Sequence, residues 1–383
     1  MTGEEIILIT IGSFFCLGLI ADAIARNTKI PRVTLLVSIG VLIGPQVFDV
    51  IPHVVEDQFD WLTSIALVMV GFLLGGKLTA STFSQLGTSL FSISLGESLC
   101  AALMVGVGMY VVGVPWQVAL VLGCIAAATA AEIAFDAVVE TKAQSPFSKI
   151  LLGAVALDDV WSLLLFSAGL AVIAVGSDWE SLGTITRELG GGILLGIVIG
   201  LPASAVTGRL KPGEPILLEA LAVVFICGGL ALWLEVSFLL AAITTGCVIA
   251  NLARHHERPF TAIENIEWPF LLLFFILAGT LLEFDSLITL LVPTAMYVIL
   301  RIVGKFLGGY AGASIAGNNK TTKRWIGLSL LPQAGAAIGM ALVASHYLPQ
   351  YQQLIIQIVI ASSIVFELLG PVLTTIALKK NEA

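Results

Sequence analysis

Charge is what this sequence has least of. Of its 383 residues only 11% are Asp, Glu, Lys or Arg, against about one in four in a soluble domain, and 58% are hydrophobic. Such a chain has too little polar side-chain surface to clothe a water-soluble fold, so it belongs in a bilayer. Other absences narrow the chemistry. The five cysteines (Cys16, Cys100, Cys124, Cys227, Cys247) sit singly inside apolar runs, without the paired spacings of a disulfide framework or a zinc site, and are read as small packing residues. The four histidines (His53, His255, His256, His346) fall at expected loops. There is no phosphate-cradling glycine loop and no nucleophile with a matching base, so no enzyme, no cofactor and no nucleic-acid partner is implied. Residues Met1 to Glu5 are acidic and no small-residue cleavage site follows them, so the first apolar run is expected to be structural rather than a cleaved signal.

What is present is apolar sequence cut by short polar breaks. A hydrocarbon core about 30 Å thick needs roughly 20 apolar residues per helical crossing. Gly, Pro and charge punctuation then predicts thirteen spans: 4–26, 31–48, 59–78, 88–112, 115–139, 147–174, 186–208, 214–234, 236–252, 264–283, 287–316, 324–346 and 351–378. The eighth and ninth almost touch at Leu234-Glu235-Val236, and merging them gives twelve. Short cytoplasmic loops carry an excess of Lys and Arg. With alternate loops assigned to opposite sides, one side takes every Lys and Arg except Arg187 on the other side and Arg301 and Lys305 inside a span. The N-terminus is therefore expected outside and the C-terminus in the cytoplasm. Spans 1–6 and 8–13 can then form two six-helix repeats of opposite topology joined by span 7, an arrangement that recurs in secondary transporters with the substrate site at the repeat interface.

Ionisable residues at membrane depth cost at least about 2.5–3.5 kcal/mol on insertion scales and mark function by default. Span 6 carries two, Asp158 and Asp159, about eleven residues in from its cytoplasmic end and so near the midplane at 1.5 Å per residue. Adjacent helical residues point about 100° apart, so one aspartate can face a packed helix while the other faces a cavity. Span 11 supplies the counter-charge in Arg301-Ile302-Val303-Gly304-Lys305-Phe306-Leu307-Gly308-Gly309, where the small residues allow close helix approach. Lys305 with Asp158 would form a titratable pair, and Arg301, which keeps its charge, is expected to hold an acid or a carbonyl. Span 5 holds Thr129, Glu132 and Asp136 in an alanine-rich run. In span 12, Pro332 removes a backbone donor and Gly335 loosens the turn on either side of Gln333, which predicts a mid-membrane break. Glu132 could compensate the freed helix ends and Thr129 could offer an oxygen ligand. Glu97 in span 4 and Glu367 in span 13 are read as further structural charges, able to pair with Arg301, bind a proton, or reach for the interface.

These residues together resemble a bacterial sodium/proton antiporter of the second group of monovalent cation:proton antiporters, in the sodium/proton exchanger superfamily. The resemblance covers nearly the whole chain. It rests on Leu152-Gly153-Ala154-Val155-Ala156-Leu157-Asp158-Asp159-Val160, on Gly304-Lys305-Phe306-Leu307-Gly308-Gly309, and on Ile30-Pro31 followed by Gly40-Val41-Leu42-Ile43-Gly44-Pro45. It implies an all-α polytopic membrane protein in which spans 5 and 12 are broken and cross. A dimer domain would comprise 1–86 and 213–286, a core domain 87–175 and 287–383, with 176–212 linking them. It also implies a homodimer in a prokaryotic inner membrane. By position, Asp159 is the carboxylate for the cation and proton, Asp158 the partner of Lys305, and Thr129 and Glu132 lie at the crossing. The paired aspartates are associated with electrogenic exchange. This chain departs from the pattern at Gln333 and Gly335, where many relatives carry an arginine and an acid. The absence of a nucleotide-binding domain after Lys380 is unlike the ligand-gated potassium efflux relatives.

The expected activity is antiport of Na⁺, or Li⁺ or K⁺, against protons, the two competing for Asp159 by alternating access, with Lys305 taking up a proton when Asp158 turns to the ion. The alternative is a sodium-coupled organic-anion symporter on a related inverted-repeat fold. A channel or sensor that does not couple two fluxes is the rival from another class.

Overall fold

The computed structural model describes residues 3–28, 32–52, 59–77, 79, 87–143, 145–175, 187, 190–207, 216–253, 257–280, 290–333 and 335–382. Among them every regular element is a helix, as lipid requires of any spanning structure that is not a closed barrel. In chain order they are α1 (Gly3–Asn27), α2 (Arg32–Ile43), α3 (Phe59–Lys77), α4 (Thr88–Val111), α5 (Trp116–Ala126), α6 (Ala131–Thr141), α7 (Pro146–Val175) and α8 (Gly191–Val206). Then follow α9 (Ile216–Trp233), α10 (Phe238–Leu252), α11 (Glu257–Thr280), α12 (Leu291–Ile315), α13 (Lys320–Ser329), α14 (Gly335–Tyr347) and α15 (Gln352–Glu382). By length and composition α1, α4, α7, α11, α12 and α15 can each cross a membrane, and the other apolar helices are shorter.

The chain divides into two compact units. The first takes in residues 1–27, 36–85 and 171–280, the second 28–35, 86–170 and 281–383. In the first unit glycines let helix backbones meet. On α3 and α10, a Cβ added to Gly75 would lie 2.9 Å from the backbone nitrogen of Cys247. On α8 and α10, one added to Gly196 would lie 2.6 Å from the carbonyl of Ala241. Val68, Met69, Phe72, Val224, Ile249 and Ile263 fill the space between the helices. The near-contact of the eighth and ninth expected spans is a true helix boundary. Glu235 turns the chain at φ 54°, and Ser237 accepts from the Leu240 amide at 3.3 Å to start α10.

In the second unit α4 and α12 are pressed together along Gly304, Gly308 and Gly312. A Cβ on Gly304 would sit 2.7 Å from the Ala101 Cα, and one on Gly308 would sit 2.6 Å from the Glu97 Cα. The opposite edge of α12 meets α13 where Gly309 faces the Gly327 Cα, 2.7 Å from a Cβ built there. Each of these helices leads into a shorter one through a left-handed glycine. Gly113 at φ 96° ends α4 and Gly317 at φ 72° ends α12. The Val114 amide then reaches back to the Met109 carbonyl and the Asn318 amide to the Ala313 carbonyl, both at 3.0 Å, a closure that favours glycine. Pro115 then opens α5, and Asn319 caps α13 by accepting from the Thr322 amide at 2.7 Å.

Two segments each expected as one span are interrupted. Residues 115–139 give α5 and α6, separated by residues 127–130, and residues 324–346 give α13 and α14, with residues 330–333 outside either helix. His346 lies in the last turn of α14 rather than in a loop.

Candidate functional site

A helix ends with carbonyls that have no amide partner, and two interrupted helices place several such carbonyls inside the second unit. The two breaks satisfy each other in part. The Ala130 amide donates to the Pro332 carbonyl at 2.9 Å, and the Thr129 hydroxyl lies 3.1 Å from the Leu330 carbonyl. Pro332 and Gln333 lie within the second interruption, and Gly335 begins the helix after it.

The remaining carbonyls are met by two cations from α12. Arg301, wholly buried, donates from Nε to Ala126 O at 3.0 Å, from one terminal nitrogen to Leu331 O at 2.6 Å and from the other to Ala128 O at 2.6 Å. Its guanidinium also lies 4.3 Å from the centre of the Phe366 ring, a cation–π contact strengthened by burial. Of the two partners expected for Arg301, acid or carbonyl, the structure selects carbonyls. One turn on, Lys305 donates to Ala127 O at 2.6 Å and to Thr129 Oγ1 at 2.8 Å. Gln333 donates to Ile125 O at 3.2 Å and to the Tyr297 hydroxyl at 3.1 Å. The positive side chains thus oppose the negative ends of α5 and α13.

Two carboxylates close the cluster. Glu97 Oε2 is 2.5 Å from Lys305 Nζ, and Asp158 Oδ2 is 3.6 Å from it, with all three side chains fully buried. Glu97 therefore does not reach for the interface. It is the nearer of the two carboxylates to Lys305, and its second oxygen accepts from the Ser98 hydroxyl at 2.8 Å. Asp158 Oδ2 also accepts from Thr129 Oγ1 at 2.7 Å. Close approach at Gly304 and Gly308 is what lets α12 present a lysine to an acid on α4.

Asp158, Thr129, Lys305, Arg301, Glu97 and Gln333 are thus gathered in one cluster. Asp159 follows Asp158 in α7 and Glu132 is the second residue of α6, but the side chains of both lie outside the described residues. Glu367 is buried and accepts from the Thr34 hydroxyl; it is the chain neighbour of Phe366, which stacks on Arg301. Sequence reasoning missed Tyr297 and Ser98. Both carried a signal, since Tyr297 stands four residues before Arg301 on the same helix face and Ser98 adjoins Glu97.

Of the break carbonyls named here, all but that of Leu330 have a protein donor of their own; Leu330 O shares the single Thr129 hydroxyl hydrogen with Asp158 Oδ2. Among the described residues, the buried side-chain oxygens of the cluster without a hydrogen-bond donor are Asp158 Oδ1, Gln333 Oε1 and Glu97 Oε2, the last held by Lys305 as an ion pair at 2.5 Å. Asp158 Oδ1 and Gln333 Oε1 are the two left open to a cation or a proton.

A family model for the transmembrane region of sodium/hydrogen exchangers matches residues 11–380. The chain is 23% identical to the ammonium/H⁺ antiporter subunit AmhT of Alkalihalophilus pseudofirmus over 363 residues, covering 91% of this chain and 89% of that protein. Its fold is similar to that of the sodium proton antiporter MjNhaP1 of Methanocaldococcus jannaschii at pH 8, with a TM-score of 0.77 at 17% identity over 99% of both chains. An electron-microscopy structure of MjNhaP1 gives 0.71 at 16% identity over 97% of both.

Proposed function

The chain belongs to the sodium/hydrogen exchanger family, and from that premise we propose that this multi-pass membrane antiporter is electrogenic, with Na⁺, or Li⁺ or K⁺, and protons competing for Asp159. One observation carries the reading. In the buried cluster Arg301 and Lys305 offset Glu97 and Asp158, and Asp159 is the next residue of α7. A carboxylate at that depth of an apolar span is expensive to leave unpaired, so by its place in the sequence Asp159 calls for a cation or a proton, and one site would serve both ions. Asp158 Oδ1, without a donor, is a further ligand, and Thr129 supports it. Glu132, in the first turn of α6, is placed by sequence where a negative charge compensates the positive end of that helix.

Alternating exposure of this site would couple inward proton flow to outward cation flow. Residues 87–175 and 287–383 would form the moving core, 1–86 and 213–286 the dimer domain of a homodimer, and 176–212 the link. The matched pairs α4–Gly113–α5 and α12–Gly317–α13 support two inverted repeats within thirteen crossings. The distribution of Lys and Arg supports an outside N-terminus and a cytoplasmic C-terminus in a prokaryotic inner membrane.

Proteoliposomes with an internal pH dye, challenged with Na⁺, Li⁺, K⁺ and NH₄⁺ with and without a voltage clamp, test substrate and electrogenicity together. Ammonium enters the panel because a relative is named for it. Asp159→Asn is expected to abolish exchange, and full Na⁺-driven proton movement in that variant overturns the assignment. The symporter reading is not favoured by the family match. Exchange that continues against a cation gradient excludes a channel.

A further inference from the structure

We propose that one end of the second unit, where α6 and α15 finish and α7 and α13 begin, is a binding surface for anionic phospholipid headgroups. This surface is separate from the buried cluster and independent of which cation is carried.

One hydrophobic core holds the four helix ends together. Val138 of α6, Phe147 of α7, Ile326 of α13 and Leu378 of α15 all belong to it. A hydrogen bond ties two of the ends directly, the Thr322 hydroxyl of α13 donating to Asn381 Oδ1 of α15 at 3.2 Å. Basic residues are the chain neighbours of this core. Lys142 precedes Ala143, Lys149 precedes Ile150, Arg324 precedes Trp325, and Lys379 follows Leu378 with Lys380 beyond it. Lys320 and Lys323 lie on the same face of α13 as Arg324. All seven cations are exposed except Lys323, which is partly so. The same ends present three exposed acids, Asp136, Glu140 and Glu382, and among the described residues none of the seven cations is in a salt bridge. Like charges gathered in this way repel one another until an anion lies between them.

The faces beneath the cations select a lipid over a free anion. On α15 Val372 and Ile376, 56% and 38% exposed, stand one turn apart, and Lys380 is the next residue along that face. On α6 Phe135 and Val139, 57% and 58% exposed, stand one turn apart, and Lys142 follows where the helix ends. Apolar surface capped by positive charge suits a molecule with acyl chains and a negative head. Clusters of about four to eight Lys and Arg at the ends of membrane spans attract anionic lipids for this reason.

Through α13 the surface bears on the interior. The ten residues of that helix cover about 15 Å, from the basic turn to the interruption where Arg301 holds the Leu331 carbonyl. A headgroup that steadies the start of α13 steadies the end that Arg301 grips.

The test is a titration of the full chain in a neutral detergent with dioctanoyl phosphatidylglycerol, following the unfolding temperature, since a ligand that binds the folded state raises it with concentration. Phosphatidylglycerol is expected to raise it, whereas dioctanoyl phosphatidylcholine and inorganic phosphate at the same concentrations are expected to leave it unchanged. The combined variant Lys320→Gln, Lys323→Gln, Arg324→Gln is expected to bind phosphatidylglycerol about 150-fold more weakly, and Lys379→Gln with Lys380→Gln about 30-fold, at about fivefold for each cation. The second variant keeps the comparison should the first fail to fold. Arg258→Gln, on α11 of the first unit, is expected to bind as the wild type does. An equal response to phosphatidylcholine shows adsorption without a charged site, and an equal response to phosphate shows a free-anion site; either overturns the assignment. So does wild-type affinity in the two basic-surface variants, or an equal loss in Arg258→Gln.

Discussion

Arg301 holds three backbone carbonyls from two different helix ends, Ala126, Ala128 and Leu331, and lies over the Phe366 ring. Its role at residue scale is therefore the integrity of the crossing. Replacing it with Met leaves three buried acceptors without donors at about 1–3 kcal/mol each, a large part of a total stability of about 5–15 kcal/mol. Arg301→Met is expected to lower the unfolding temperature in detergent sharply, with Arg301→Lys intermediate; a Met variant melting like the wild type would remove Arg301 from this role. Asp159 leads to a different measurement. If one proton competes with one cation there, linkage requires the apparent cation affinity to fall about tenfold per pH unit once the site is mostly protonated. Initial exchange rates over a grid of pH and Na⁺ concentration give the slope, and a pH-independent affinity rejects competition. At this scale the sequence marked Lys305 and Asp158 as charges at depth but not Glu97 as the nearer partner. Spacing along one helix carries no information about which acid on another helix a lysine meets.

The decisive elements are the two interruptions and the glycine seam that holds the lysine against them. Pro332 and Gly335 made the break between α13 and α14 legible. The break between α5 and α6 has only alanines and Thr129 between its halves, residues without a local reason to leave a helix, and it is held by donors from elsewhere: Arg301, Lys305, Gln333 and the mutual bond of Ala130 with Pro332. The seam of α4 and α12 has no room for a side chain. Gly308→Val is expected to force the helices apart, to destabilise by about 1–3 kcal/mol through overpacking, and to abolish exchange by withdrawing Lys305 from Glu97; unchanged transport in a folded Gly308→Val protein would show that the close approach is dispensable. Gly113 separates backbone strain from packing. Its φ is 96° and nothing lies within 4 Å of an added Cβ, so Gly113→Ala should cost about 1–2 kcal/mol. Gly12, inside α1 and equally open, should tolerate Ala and gain about 0.5–1 kcal/mol. Paired thermal melts compare the two.

At the scale of the whole molecule, a cycle that moves net charge must respond to voltage, at about 2.3 kcal/mol per charge per 100 mV. With equal pH and equal Na⁺ on both sides, an imposed potential alone should drive opposite movements of protons and cation in proteoliposomes. The direction should reverse with the sign of the potential, and no movement under a 100 mV potential would show the exchange to be electroneutral.

Scarce charge and long apolar runs were enough to establish an all-helical membrane protein, because lipid leaves the backbone few other ways to satisfy itself. The few charges left at depth were enough to single out the helices that matter, because hydrocarbon makes each of them costly. Pairing was another matter. That Lys305 is clamped by Glu97 and shared with Asp158, that Arg301 serves carbonyls, and that a run of alanines stops being a helix all depend on which side chains arrive from distant parts of the chain. Hydrogen-bond satisfaction in a buried site is a property of the assembled cluster, and only tertiary structure brings its donors and acceptors together.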